Sequence, residues 1–265
     1  VNYYGMANGL PLDDPDSGFD PSHPFKNRDP RFYHDIVFDG FQYINTTIAK
    51  DDDDYQFKYI QMYTGSNLRS SASQGCRTGY YCQKLVPHQA NKYDGMYNWG
   101  GALQCDLPYM RLADIYLMYA EAGAAAQGAN YKSSKCNLTA VDAINVLRDR
   151  VDAGHVADKF VADQKKFMDE VRRERAVELA FEGFRWNDLQ RWLLLTEYPY
   201  NIKTSQEFMR VGNYDFTKND PRDAEVTGWS EKTILTRDYS EKHYLLPLKQ
   251  DDVYLYPEFG QNPGW

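Results

Sequence analysis

The chain has 265 residues, enough for one large domain or two small ones with a sizeable core. Lys and Arg number 30 against 38 Asp and Glu, and the net charge of −8 opposes sequence-independent binding to phosphate backbones, which argues against a nucleic-acid role. No uninterrupted apolar run approaches the roughly 18 residues that a membrane-crossing helix needs.

Val1 opens the chain with no basic and apolar signal segment, so export is neither shown nor excluded. Residues 1–105 read as loop-rich, because Pro11, Pro15, Gly18, Pro21, Pro24, Gly40, Gly65, Gly79 and Gly95 interrupt any long helical period. One short helix is expected at Asp29-Pro30-Arg31-Phe32-Tyr33, where Asp29 caps orphan amides and Pro30 suits the first helical position. Asp51 to Asp54 read as a solvated loop tip. Asp14-x-Asp16-x-Gly18-x-Asp20 could hold a calcium ion, but it lacks the distal Glu of an EF-hand loop, and a turn is the expectation.

Residues 106–195 read as the helical core. Leu112, Ile115, Tyr116, Tyr119, Ala120 and Ala124 recur at three- and four-residue spacing and predict one face of an amphipathic helix. Gly128-Ala129-Asn130 breaks it, and Thr139, three residues before Asp142, predicts the capped start of a helix carrying Val141, Ile144, Leu147 and Val151. A third helix is expected from about Gln164 to Phe181, with Gly183 separating it from a fourth that carries Phe184, Leu189, Trp192 and Leu195. Short connections between such helices predict a mainly α fold of tetratricopeptide-like helical hairpins with long irregular loops. The small residues Ala120, Ala122, Gly123, Ala124 and Ala125 allow the close approach that those hairpins need. Residues 196–265 read as irregular, apart from a short helix over Lys249 to Tyr254 and a fixed turn at Gln261-Asn262-Pro263-Gly264-Trp265.

Signatures of catalysis are missing. There is no G-x-S-x-G elbow, phosphate loop, dinucleotide fingerprint or H-E-x-x-H helix, and the five histidines are scattered. No cofactor and no metal are expected. Cys76, Cys82, Cys105 and Cys136 contain no C-x-x-C pair; in an oxidising compartment they allow three full pairings, of which Cys76 with Cys82 is closest in sequence. Glu174, Glu178 and Glu182 line one helical stripe, yet no histidine lies three residues after any Glu here, so the di-iron arrangement fails. The stripe reads as a structural ion-pair network with Arg172, Arg173, Arg175 and Arg185. Aromatics make up 15% of the chain, and Tyr80-Tyr81 and Tyr93-x-x-x-Tyr97-Asn98-Trp99 place rings in Gly-rich loops, with Asn67 and Arg69 upstream. Flat rings beside amides and charged groups suit the apolar faces and hydroxyl rim of a sugar, so Asn67, Arg69, Tyr80, Tyr81, Tyr97, Asn98 and Trp99 are candidate ligand residues; the opposing reading is that these rings cover the core.

Three stretches in order, Met110 to Ala122, Ala143 to Arg148 and Arg173 to Trp192, resemble the SusD/RagB family. The flanks Ser17-Gly18-Phe19-Asp20-Pro21, Asn27-Arg28-Asp29-Pro30-Arg31-Phe32, Leu246-Pro247-Leu248 and Gln261 to Trp265 look similar to it as well. The resemblance implies a cell-surface lipoprotein of the outer membrane that binds a glycan or other nutrient without cleaving it and delivers it to a SusC-like TonB-dependent transporter. It also implies that residues 1–265 form a single SusD-like C-terminal region, with an export signal and lipid anchor on a preceding N-terminal part. Two other classes compete: a helical scaffold for protein partners, and a glycoside hydrolase using an Asp/Glu pair.

Overall fold

The structure, a computed structural model, describes residues 1–69, 75–87, 89–95, 107–256, 258 and 260–265. The chain divides into two compact units, one of Val1–Glu182 with Gln206–Ser230 and one of Gly183–Ser205 with Glu231–Trp265.

In the larger unit the first helix, α1 (Pro30–Asp35), starts as its sequence requires: the Asp29 carboxylate accepts from the Arg31 amide, and Pro30 takes the first turn. Strand β1 (Ile36–Val37) follows and pairs antiparallel with β2 (Tyr81–Cys82), Ile36 opposite Cys82. Phe25, Phe32, Ile36, Phe38, Met62, Tyr80, Val177 and Phe208 form one core, in which Phe25 and Phe38 lie 5.0 Å apart and Phe32 meets Tyr80 edge-on at 6.3 Å.

A second core lies among α2 (Leu112–Gln127), α3 (Ala140–Asp149) and α5 (Gln164–Glu178), with the single turn α4 (Asp158–Val161) leading into α5. Thr139 and Asp142 form the reciprocal capping box that starts α3. The expected face of α2 is buried at Ala120 and Ala124, with Tyr116 and Tyr119 packed partly against the core, and departs from expectation at Leu112 and Ile115. The buried face consists of Ala113, Asp114, Leu117, Ala120, Gly123 and Ala124, whereas Leu112 is 65% and Ile115 45% exposed. The reason is close approach: a Cβ on Gly123 would come within 2.8 Å of the Tyr131 ring and 2.9 Å of the Ala140 Cβ, so the small-residue seam faces α3 and Leu112 and Ile115 turn outward. Helix α5 closes at Glu178, short of Phe181, which adopts a left-handed φ of 64°.

The smaller unit contains α6 (Arg185–Arg191), shorter than the expected fourth helix, with Leu189 and Leu195 buried. Rings meet edge-on through it as a chain: Trp186 to Tyr239 at 5.5 Å, Tyr239 to His243 at 5.7 Å and His243 to Trp265 at 5.4 Å. The indole of Trp265 donates to the carbonyls of Lys242 and Leu245, and Gln261 bonds both backbone groups of Leu248, which fixes the final turn. Helix α7 (Gln250–Leu255) sits where a short helix was expected. Residues 196–265 are more regular than their sequence suggests, because β3 (Ile202–Arg210) and β4 (Val226–Thr236) pair there. Backbone bonds from Val211 to Glu225 and from Arg237 to Asn201 make the pair antiparallel. No helix among the described residues is long and apolar enough to cross a membrane.

Candidate functional site

The acidic stripe of α5 is a buried ion-pair network, and most of its arginines come from outside that helix. Each residue along an α-helix turns by about 100°, so Arg172 and Arg175 leave the face that Glu170, Glu174 and Glu178 share, whereas Arg173 stays within reach of Glu170 three residues before it. Arg31 at the start of α1 donates to both Glu174 and Glu178, while Arg148 of α3 reaches Glu174 at 2.9 Å and Glu170 at 3.1 Å. Arg150 reaches Glu178 at 2.7 Å, and Arg111 clasps Glu182 through two bonds of 2.8 Å while also meeting Glu178. Lys84 joins Glu182 at 2.8 Å. Of the arginines expected on the stripe, Arg173 pairs with Glu170 at 2.6 Å, Arg175 with Asp114 and Arg172 with Asp169, whereas Arg185, in the smaller unit, lies over the Tyr200 ring. The signal that would have found Arg148 is its place four residues after Ile144, on the apolar face of its own helix.

This network is built for holding and not for proton transfer. Burial pushes the Glu174 carboxyl up, but Arg31 and Arg148 outweigh it and hold it at about 2. Glu178 and Glu182 are likewise held below the usual carboxylate range, burial being overcome by Arg111 together with Arg31 and Lys84, respectively. A glycoside hydrolase needs one carboxyl kept protonated beside an ionised one at an open substrate cleft, and the stripe supplies the reverse. Burial raises the Asp35 carboxyl, which is covered by the Tyr4 hydroxyl, donating to it at 2.8 Å.

The candidate ligand residues occupy different environments. Tyr80 is only 8% exposed and packs in the first core, so its ring covers Phe32 and is not a surface platform. Arg69 spends its guanidinium on the carbonyls of Met62 and Gln206 and on Glu207 at 2.7 Å, tying the loop to β3; its Nη1 lies beside Gly79, where a Cβ would be 3.5 Å away. Tyr81 is 37% exposed on β2, and Asn67 is exposed, donating to Gln56 at 3.0 Å. Tyr97, Asn98 and Trp99 lie outside the described residues.

The segment Asn91–Gly95, which leads to them, is firmly placed. The Asp94 carboxylate accepts from the amides of Asn45 and Thr46, the latter at 2.7 Å, and from the Asn91 side chain at 2.9 Å. Burial is outweighed by these donors, and the Asp94 carboxyl is held far below its ordinary value. The Tyr93 hydroxyl bonds Asp54 at 2.8 Å, and Lys92 pairs with the same carboxylate while lying 4.9 Å from the Tyr93 ring. The run Asp51 to Asp54 is exposed over residues 51–53, as expected of a solvated tip, and its Asp52 and Asp54 also anchor this segment. Its hydrogen-bonding role was invisible in the sequence because the partners are about 40 residues apart.

At the Asp14–Asp20 loop, Lys159 places its ammonium against Asp14 at 2.6 Å and Asp16 at 2.8 Å, and the Asp16 amide donates to Asp14. A resident positive charge there disfavours a divalent cation, and the loop is a turn closed by a lysine. No group of three metal-binding side chains occurs among the described residues. Cys76, Cys82 and Cys136 are free thiols, with Cys76 donating to the Tyr80 carbonyl; Cys105 lies outside the described residues.

The SusD family model matches residues 1–265. Among solved structures, a SusD-like protein (BF3747) from Bacteroides fragilis NCTC 9343 is 24% identical with a TM-score of 0.69, over all of this chain and 45% of the other. The protein BT4246 is 23% identical with a TM-score of 0.67, over all of this chain and 43% of the other. A SusD-like carbohydrate binding protein (BF0978) from Bacteroides fragilis NCTC 9343 is 23% identical with a TM-score of 0.60, over 97% of this chain and 46% of that one. This chain thus spans less than half the length of each of these structures. No curated protein matches it significantly in sequence.

Proposed function

Because this chain belongs to the SusD family, we propose that it binds a glycan or other nutrient at the surface of the outer membrane, as a lipoprotein, and delivers it to a SusC-like TonB-dependent transporter without cleaving it. The observation that carries the reading is the family match along the whole chain. The carbohydrate binding attributed to one structural neighbour supports it. Residues 1–105 supply the ligand face and 106–195 the tetratricopeptide-like core, a reading that the small-residue packing of α2 on α3 supports. Within the face, the half-exposed Tyr81 ring offers an apolar surface and the exposed Asn67 amide a polar group. Arg69 and Tyr80 belong beneath it, as the support that holds the loop on the core.

A second reading has one observation in its favour. Leu112, Ile115 and Met118 leave an apolar face of α2 exposed, as a scaffold that grips protein partners would. A glycan panel decides between the two, combined with an assay for new reducing ends. Binding of at least one glycan with no release of reducing ends is expected. Tyr81→Ala should then weaken binding severalfold at an unchanged melting temperature, whereas Tyr80→Ala should lower the melting temperature. Release of reducing ends, or silence across the panel, overturns the proposal.

A further inference from the structure

Helix α2 has two apolar sides, and one of them is open. Ala113, Leu117, Ala120, Gly123 and Ala124 are buried on the side that packs against α3 and α5. Opposite them Leu112, Ile115, Met118, Ala122, Ala125 and Ala126 are exposed, and none of the six is polar. At about 100° per residue they fall within an arc of about 140°. The two charged side chains of the helix lie elsewhere: Asp114 is buried against Arg175, and Glu121 sits on the flank between the two sides. A surface helix ordinarily turns a polar side to water, and one that is apolar all round is a buried helix. Its neighbours follow the rule, since α5 exposes Lys165, Lys166 and Asp169, and α3 ends on the exposed Asp149.

The gradient along the open side describes what fits it. Leu112, Ile115 and Met118 stand toward the N-terminal end and the three alanines toward the other, so a second helix can cross with its backbone close to the alanines and its own large side chains over them. The buried side already packs in that way, because Gly123 brings α2 close to Tyr131 and Ala140. In stacked helical hairpins each pair contacts a neighbour on either side, and the end of the stack is marked by a polar outer face. The open side of α2 carries no such cap.

Area decides between a free partner and a tethered one. The 16 residues of α2 make a cylinder about 24 Å long and about 10 Å wide, so one side offers on the order of 250 Å². A stable interface between separate chains takes roughly 800 Å² from each. A helix joined to the same polypeptide needs far less, since tethering removes most of the entropy cost of association. The solved relatives have the length to supply one: the match takes in 97 to 100% of this chain but 43 to 46% of theirs. We propose that the open side of α2 is an internal seam, covered by an amphipathic helix of the same polypeptide that lies outside residues 1–265. Glycan binding stands or falls separately, and the scaffold reading loses the one observation in its favour.

The test is oxidation of Met118 by hydrogen peroxide, followed by peptide mass spectrometry with N-acetylmethionine in the same tube as the rate standard. Met118 is 42% exposed, so in the 265-residue chain it should oxidise within a few-fold of the standard, while Met62, at 0%, marks the protected limit. In the longest polypeptide that the same reading frame encodes, Met118 should oxidise about tenfold more slowly, and Ile115→Glu should restore the rate there. An equal Met118 rate in the two polypeptides would overturn the seam, as would a reading frame that adds no helical segment or protection that Ile115→Glu leaves intact. Protection of Met118 that rises with protein concentration in the 265-residue chain would assign the open side to a second copy, and would overturn it too.

Discussion

Glu178 shows how a residue's surroundings decide its worth. Its carboxylate is buried and receives Arg31, Arg111 and Arg150, so removing it takes one partner from the buried Arg31 and the largely buried Arg111, while the exposed Arg150 turns to water. An exposed ion pair is worth at most about 1 kcal/mol, whereas opening a buried one costs several, because the remaining charge stays desolvated. Glu178→Ala should therefore lower stability by about 2 to 4 kcal/mol in denaturant unfolding. A loss under about 0.5 kcal/mol would show that water readily enters and replaces the carboxylate. The four-residue spacing of Glu174, Glu178 and Glu182 made a helical stripe legible, since that period is local. Arg31, Arg111 and Arg148 were not legible as its partners, because they meet it only after chain segments far apart in sequence come together. The same limit applies to Tyr80 and Tyr81: adjacent and chemically alike, Tyr80 lies in the core just before β2 and Tyr81, the first residue of β2, is at the surface.

At the scale of elements, caps were readable and faces less so. Asp29 before Pro30 and Thr139 before Asp142 act within a turn, so their sequence signature is their structure. The face of α2 is set by what it must approach, and the small seam outranks the bulky periodic residues there. That ranking is testable at Gly123. In an open helix, Gly→Ala gains about 1 kcal/mol from propensity. Here the added methyl would sit 2.8 Å from the Tyr131 ring and 2.9 Å from the Ala140 Cβ, and overpacking of that kind costs about 1 to 3 kcal/mol. Gly123→Ala is expected to lower the melting temperature, and a rise would mean that α2 and α3 separate at little cost. Strands β3 and β4 escaped the sequence reading for a related reason. The burial of β4 is confined largely to Val226, and Gly228 interrupts it with a φ of 69°, so little alternation of apolar residues announces it.

For the whole molecule, the network that joins α1, α3, α5 and the segment before α2 makes stability depend on pH. The Glu174 carboxyl lies at about 2 in the folded chain against an ordinary 4.5, and Glu178 and Glu182 are displaced in the same direction. A carboxyl depressed by folding contributes stability that is fully present above its unfolded value, and that contribution is lost as pH falls toward its folded value. Asp35 is displaced the other way, so its protonation favours the folded chain and opposes the loss. The three depressed groups of the network, with Asp94 and other depressed aspartates acting in the same direction, outweigh Asp35 and predict net acid destabilisation, beginning near pH 4.5 and continuing toward pH 2. Melting curves followed by circular dichroism across that window should show a falling transition temperature. The slope should be shallower in Glu174→Gln, which cannot lose the charge because it has none, although that variant starts from a lower stability at neutral pH. A transition temperature that stays level from pH 5 to 2.5 would mean that arginine pairing at Glu174, Glu178 and Glu182 does not distinguish the folded chain from the unfolded one.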